Sequence, residues 1–237
     1  MPATLHNAQG KSRLLLTCEH ASHEIPARYQ NLGLDPQQQL DHIGWDIGAG
    51  LLTQELARLL DAVAVLSKVS RLVVDCNRQT TDHDLIPEES HGVPIPGNQG
   101  LSGDERNYRL DAFYQPYHDT IDRALGDCRS AFLLSIHSFT PSLNGASRDF
   151  DAGVLFDDFE DLANQLARQL ATAGLLVRMN EPYSGLEGLI FSARNHGRKH
   201  AIPYLEIEVN NRLLREPDDI QAAARRIAAS VAAILPR

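Results

Sequence analysis

Residues 14–26 read LLLTCEHASHEIP, an apolar run that stops abruptly in Glu19, His20, His23 and Glu24. A short continuous apolar run is the mark of a strand covered on both faces. The acids and imidazoles behind it then stand where such a strand ends. Similar runs recur at Leu14–Cys18, Ala62–Leu66, Leu72–Asp75, Phe132–His137, Gly153–Phe156, Leu175–Met179 and Tyr204–Val209. Helical stretches are expected between them, at about 37–60, 104–126, 158–173 and 217–235. In the last, Ile220, Ala223, Ile227, Val231 and Ile234 recur at spacings of three and four. Strands alternating with helices predict a three-layer α/β fold, a mainly parallel or mixed sheet with helices on both faces. One domain over residues 1–237 is expected, a size that single α/β domains commonly reach.

Ligands of open α/β sheets bind beyond the carboxyl ends of the strands. The polar residues after each apolar run are therefore the candidates. They are Glu19 and His20, then Asp75, Asn77 and Arg78, then His137 and Ser138, then Asn180 and Glu181, with Glu206 and Glu208 inside the last run. Two long irregular stretches, 79–103 and 138–152, suit binding loops.

Composition narrows the function. The formal charge is −9, which argues against nucleic-acid binding. A small carboxylate substrate remains possible if a few arginines converge. No run has transmembrane length and the N-terminus lacks a signal-peptide plan, so a cytoplasmic protein is expected, as a monomer or small homo-oligomer. Cys18, Cys76 and Cys128 form no CxxC pair and read as reduced thiols. The P-loop, the dinucleotide glycine fingerprint, GxSxG and HExxH are all absent.

Three groupings carry chemistry. His20 and His137, each at a strand end, could meet around a metal, with His23, Glu24 or Asp46 as third ligand. Asp46 is expected on a helix, four residues from His42 and on its face. The plainer alternative is that His20 bonds backbone. In SRLVVDCNR, Arg71, Asn77 and Arg78 could hold a carboxylate, or Asp75 and Arg78 could simply pair. In LEIEVNN, Glu206 and Glu208 share one strand face, and buried carboxylates need a metal, an arginine or a catalytic proton. An exposed edge strand is the alternative. NEPYSG, 180–185, reads as a turn that could place Tyr183 against a pocket.

In chain order, CEHASHEIP, HIGWDIGA, SRLVVDCNR, IHSF, NEPYSG and LEIEVNN resemble the N-formylglutamate amidohydrolase family from about residue 13 onward. The resemblance implies a phosphorylase/hydrolase-like fold, shared with zinc carboxypeptidases and aspartoacylase. It implies hydrolysis of N-formyl-L-glutamate to formate and L-glutamate in histidine breakdown. By motif, His20, Asp46 and His137 would bind Zn2+ or another divalent metal, and Glu208 would be the base. Asn77 and Arg78 would hold the substrate carboxylate. Arg71 is expected to steady the oxyanion, and Tyr183 and Ser138 to line the substrate site. His23 and Asn210 depart from the family pattern. Another N-acyl amino acid hydrolase, a carboxypeptidase-like enzyme, or a non-catalytic module for acidic metabolites are the competing readings.

Overall fold

The structure is a computed structural model that describes residues 2–127, 130–143 and 145–235. Cys128 lies outside the described residues. In chain order the elements are β1 (Ala3–His6), β2 (Leu14–Cys18), α1 (Pro36–Leu40), α2 (Ala49–Leu59) and β3 (Val63–Ser67). A small hairpin follows, β4 (Glu89–Ser90) and β5 (Val93–Pro94). Next come α3 (Gly103–Arg109), a π-helical turn over Leu110–Tyr114, α4 (Gln115–Asp127) and β6 (Phe132–Phe139). A second hairpin, β7 (Ser142–Leu143) and β8 (Ala146–Ser147), precedes β9 (Ala152–Leu155), α5 (Glu160–Thr172) and β10 (Val177–Met179). The chain ends with α6 (Phe191–Lys199), β11 (Tyr204–Asn210) and α7 (Pro217–Ala232).

The main sheet has seven strands in the order β1-β3-β2-β6-β11-β9-β10. Its centre, β3-β2-β6-β11, is parallel, while β1 joins β3 and β9 joins β11 antiparallel. The sheet is therefore mixed, with helices on both faces. Leu52 and Leu56 of α2, Leu166 and Leu170 of α5, and Ile220, Ile227 and Val231 of α7 bury one face. Tyr117, Ile121 and Leu125 of α4 and Ala193 of α6 cover the other. Burial of this kind stabilises by about 1.5–3 kcal/mol per large apolar side chain. Among the described residues no helix is long and apolar enough to cross a membrane.

Two expected elements take other forms. Leu72–Asp75 is not a strand but a turn buried by side-chain donors. Asn98 donates to the Leu72 carbonyl at 2.8 Å and Arg109 to the Val73 carbonyl at 3.1 Å. These side chains satisfy the carbonyls that a ladder would otherwise satisfy. The expected helix 37–60 is broken over 41–48, so Asp46 sits in a turn rather than on a helix face. Gly48 makes the break possible with φ 82 at the N-cap of α2. A Cβ there would lie 2.5 Å from Leu214 Cβ. The short edge strand β1 and the polar helix α6 were absent from the sequence reading.

Candidate metal centre and substrate cleft

Strand parity builds the site. On the face under α4 and α6, β2 runs Leu15, Thr17 and then Glu19 just beyond its end. β6 runs Leu133, Ser135, His137, and β11 runs Tyr204, Glu206, Glu208. Thr17 stands opposite Ser135, Ser135 opposite Glu206, and His137 opposite Glu208. Each column is apolar at its amino end and polar toward its carboxyl end. The opposite face stays apolar throughout, with Leu16, Cys18, Leu134, Ile136, Ile207 and Val209 in one core cluster. Cys18 is thereby turned away from the polar columns, and burial drives its thiol pKa upward.

The loops after the strands complete the centre. His20 follows β2, and the backbone N–H of Asp46 donates to the His20 carbonyl at 3.0 Å. The His20 and His137 rings meet edge to face with centroids 4.7 Å apart. Ligand atoms of His20, Asp46 and His137 all lie within 4.8 Å of one another, and the same holds for His137, Glu206 and Glu208. His23 instead meets Trp45 edge to face, with ring centroids 4.9 Å apart, and Glu24 is largely exposed. Asp46 is therefore the acid that the fold brings to the two imidazoles.

Both rings are oriented by buried carboxylates. His20 Nε2 lies 2.7 Å from Asp75 Oδ1. Asp75 also accepts from Arg71 Nη2 at 2.9 Å and from the Asn77 backbone N–H at 2.8 Å. His137 Nε2 lies 3.0 Å from Glu19 Oε2, which accepts from Ser135 Oγ at 2.6 Å, while Tyr117 donates to Glu19 Oε1 at 3.0 Å. Burial opposes the charge on both acids. His20 and Arg71 outweigh it at Asp75, and His137 and Ser135 at Glu19, so both pKa values fall below the carboxylate range. Two ionised acids thus take the Nε2–H of each ring, which leaves both Nδ1 lone pairs facing Asp46.

That arrangement calls for a cation. Asp46 Oδ2 is 2.8 Å from His137 Nδ1 and 3.4 Å from His20 Nδ1. His20 Nδ1 is buried with no hydrogen-bond partner among the described residues. Without a metal, only a proton can relieve the repulsion between these lone pairs. Burial disfavours that proton on His137, but Glu206, Asp46 and Glu19 overcome burial and raise the ring's pKa well above its ordinary value. Next to it, burial and neighbouring acids push Glu206 up to about 7 and Glu208 well above the carboxylate range. Glu208 Oε2 is likewise buried and unpartnered among the described residues. Two imidazoles, one shared carboxylate and surplus negative charge fit a divalent metal ion held by His20, Asp46 and His137.

A cleft of about 180 Å³ opens over this centre. It is smaller than the ~300–1,000 Å³ usual for drug-sized ligands. His20, Asp46, Arg71, Asn77, Arg78, His137, Ser138, Tyr183, Glu206 and Glu208 all line it, while His23 and Glu24 do not. Several have duties within the protein. Arg71 also reaches Asp46 Oδ1 at 3.4 Å. Ser138 Oγ donates to the Ile47 carbonyl at 2.8 Å and its backbone N–H to Asp46 Oδ2 at 3.3 Å, fixing the Asp46 turn. Asn77 donates to the Leu189 carbonyl and Glu206, and accepts from the Ser192 N–H. The Asp75–Arg78 pair weighed from sequence gives way to Arg78 Nε on Asp84 at 2.8 Å. Sequence reasoning missed Ser135 and Tyr117, and it named Glu19 and Asp75 as candidates without their role as the acids that orient His137 and His20. For Ser135 a signal existed: it precedes His137 by two, as Glu206 precedes Glu208.

A family model described as N-formylglutamate amidohydrolase matches residues 12–215. An N-formylglutamate deformylase of Pseudomonas putida is 30% identical over 172 residues, spanning 65% of this chain and 63% of that protein. A solved gene product of Agrobacterium tumefaciens superposes with a TM-score of 0.92 and 32% identity, covering 98% of this chain and 96% of the other. An N-formylglutamate amidohydrolase structure from Ralstonia eutropha JMP134 superposes at TM-score 0.74 and 18% identity, over 98% and 97% of the two chains, a likeness of fold.

Proposed function

The chain belongs to the N-formylglutamate amidohydrolase family, and from that premise we propose that it hydrolyses N-formyl-L-glutamate to formate and L-glutamate. The unit of activity is residues 1–237, acting in the cytoplasm in the breakdown of histidine. Its metal is Zn2+, which suits two imidazoles and a carboxylate. The observation that carries the reading is the pair of carboxylate-capped histidines whose free Nδ1 atoms face one oxygen of Asp46.

His20, Asp46 and His137 would hold the ion. When bound, such an ion supplies Lewis acidity toward the amide carbonyl and lowers the pKa of water. Glu208 stands opposite His137 in the sheet register, with an Oε2 unpartnered among the described residues. Positive charge at the centre would offset the burial and the acids that raise its pKa and leave it ionised, and it takes a proton from the attacking water as the C–O bond forms at the formyl carbon. It then delivers that proton to the amide nitrogen as the C–N bond breaks. Arg71, paired to Asp75 and Asp46, keeps positive charge beside the oxygen that gains negative charge. Arg78 has no hydrogen-bond partner at Nη2 among the described residues and grips a substrate carboxylate. Asn77 holds the cleft wall, while Tyr183 and Ser138 shape the space for the amino-acid part.

The test is formate release from N-formyl-L-glutamate by protein stripped of metal and then reloaded with Zn2+. The reading expects loss on stripping, recovery on reloading and about one metal ion per chain. Turnover that survives complete metal removal refutes it.

A further inference from the structure

The floor of the cleft is acidic, with Asp46, Glu206 and Glu208 among its lining. A substrate that carries two carboxylates needs cations further out to enter. Arg71 and Arg78 are each paired with protein acids. Nearby Arg178 and Arg212 are paired as well, with Glu181 and Asp151. Arg148 differs. Among the described residues no carboxylate oxygen lies within 4.0 Å of its guanidinium. Among the described residues its guanidinium makes one hydrogen bond to backbone, a long 3.5 Å contact to the Thr140 carbonyl.

The position of Arg148 is built. Its guanidinium lies over the ring of Tyr183 at 5.4 Å and over that of Phe139 at 5.7 Å. Tyr183, Phe139 and Thr140 all line the cleft, while Arg148 itself stands just outside it, in the adjoining groove with Phe150, Arg178 and Pro182 and in reach of the Tyr183 side chain. Arginine stacked on aromatic faces keeps its edge donors free for a carboxylate. The backbone beneath it is fixed by fully buried Asn210 at the end of β11. Asn210 Nδ2 donates to the Arg148 carbonyl at 3.2 Å and the Phe150 carbonyl at 2.9 Å. The Arg148 N–H closes the loop on the Pro141 carbonyl at 2.8 Å. Arg148 also contributes, after burial, His42 and Arg71, to the lowered pKa of His91 on the cleft wall.

We propose that Arg148 is a specificity-determining residue that receives the second carboxylate of an acidic N-acyl amino acid, while Arg78 receives the first. This rests on the deformylase reading above and adds the reason an acidic side chain is preferred to a neutral one. Asn210 acts as a positioning residue, because it holds the loop that presents Arg148.

The experiment compares N-formyl-L-glutamate with N-formyl-L-glutamine on metal-loaded wild type, Arg148→Met and Arg148→Lys. The wild type is expected to favour the glutamate substrate. Arg148→Met should lower the ratio of the two kcat/KM values by about ten- to a hundredfold, mainly through KM, the range for a lost charge-assisted contact. Arg148→Lys should restore part of it. An unchanged ratio, or an equal fall on both substrates, overturns the proposal. Calorimetry of L-glutamate and L-glutamine binding to the same proteins reads the same preference without turnover. If wild type releases formate from neither substrate, the deformylase reading fails. Arg148 is then still judged by whether Arg148→Met abolishes a preference for L-glutamate. Equal binding of the two amino acids to wild type also overturns it.

Discussion

Replacing Glu19 by glutamine removes one charge from a fully buried position and leaves the shape intact. Three groups converge on that carboxylate: Tyr117 at 3.0 Å, Ser135 at 2.6 Å and His137 at 3.0 Å. In the metal-free protein Glu206, Asp46 and Glu19 favour the charged form of His137 against its burial, so Glu19→Gln breaks a buried ion pair. Such a break costs ~3–5 kcal/mol. The amide oxygen still accepts from one hydroxyl, which sets the expectation near the lower bound, about 3 kcal/mol. For a chain of this size that is a fall in Tm of roughly 6–12 °C. The amide nitrogen can also donate to His137 Nε2, which would move the ring's proton to Nδ1, the atom needed for the metal. Zn2+ affinity should then fall about 10- to 100-fold. Thermal unfolding of chelator-treated protein and competition with a zinc-binding dye read the two effects separately. A Tm within about 1 °C of wild type together with unchanged affinity would refute the reasoning, since it would mean that Glu19 orients nothing.

Other outcomes follow from the same geometry. Glu208→Gln should retain Zn2+ and substrate binding but lose about 10²–10⁴ in kcat; steady-state kinetics with metal analysis would show otherwise if Glu208 is not the base. Gly153→Ala places a Cβ against the Glu181 carbonyl oxygen, beside Glu208 in the register, and should destabilise by about 1–3 kcal/mol in denaturant melts. His118 on α4 is held neutral, its pKa pushed down to about 3 chiefly by burial and then by His196. Below pH ~6.5 the unfolded chain takes a proton that the native ring refuses, so stability is lost as pH falls from 7 toward 3. Wild type should therefore lose about 2 kcal/mol more than His118→Gln between pH 7 and 5; parallel stability curves would contradict this.

The legible part of the fold was the part written as local pattern. The apolar runs at 14–18 and 132–137 and the two-residue spacing of Glu206 and Glu208 are the direct imprint of strands buried on both faces. The edge strand β1 is only four residues long, and α6 is mostly polar, so neither carries a strong period. Leu72–Asp75 has the composition of a strand, but its carbonyls are taken by Asn98 and Arg109, from 26 and 36 residues away. The metal-binding histidines proposed from strand ends do converge. The acids that orient them were not legible, because Asp75 meets His20 across 55 residues and Glu19 meets His137 across 118. No spacing rule encodes those partners; the sheet order does. Asp46 was legible as a candidate and misplaced as to its backbone, since the expected helix stops at Leu40 and restarts only after the left-handed Gly48, leaving Asp46 in the turn between.

The central claim is that one divalent ion sits among His20, Asp46 and His137. Anomalous diffraction at the zinc edge from crystals of the active, Zn2+-loaded protein tests it directly. The account predicts one strong peak about 2.0–2.2 Å from Nδ1 of each histidine and from a carboxylate oxygen of Asp46. An active protein whose anomalous peak lies elsewhere, or reaches His20 or His137 through Nε2, would contradict it.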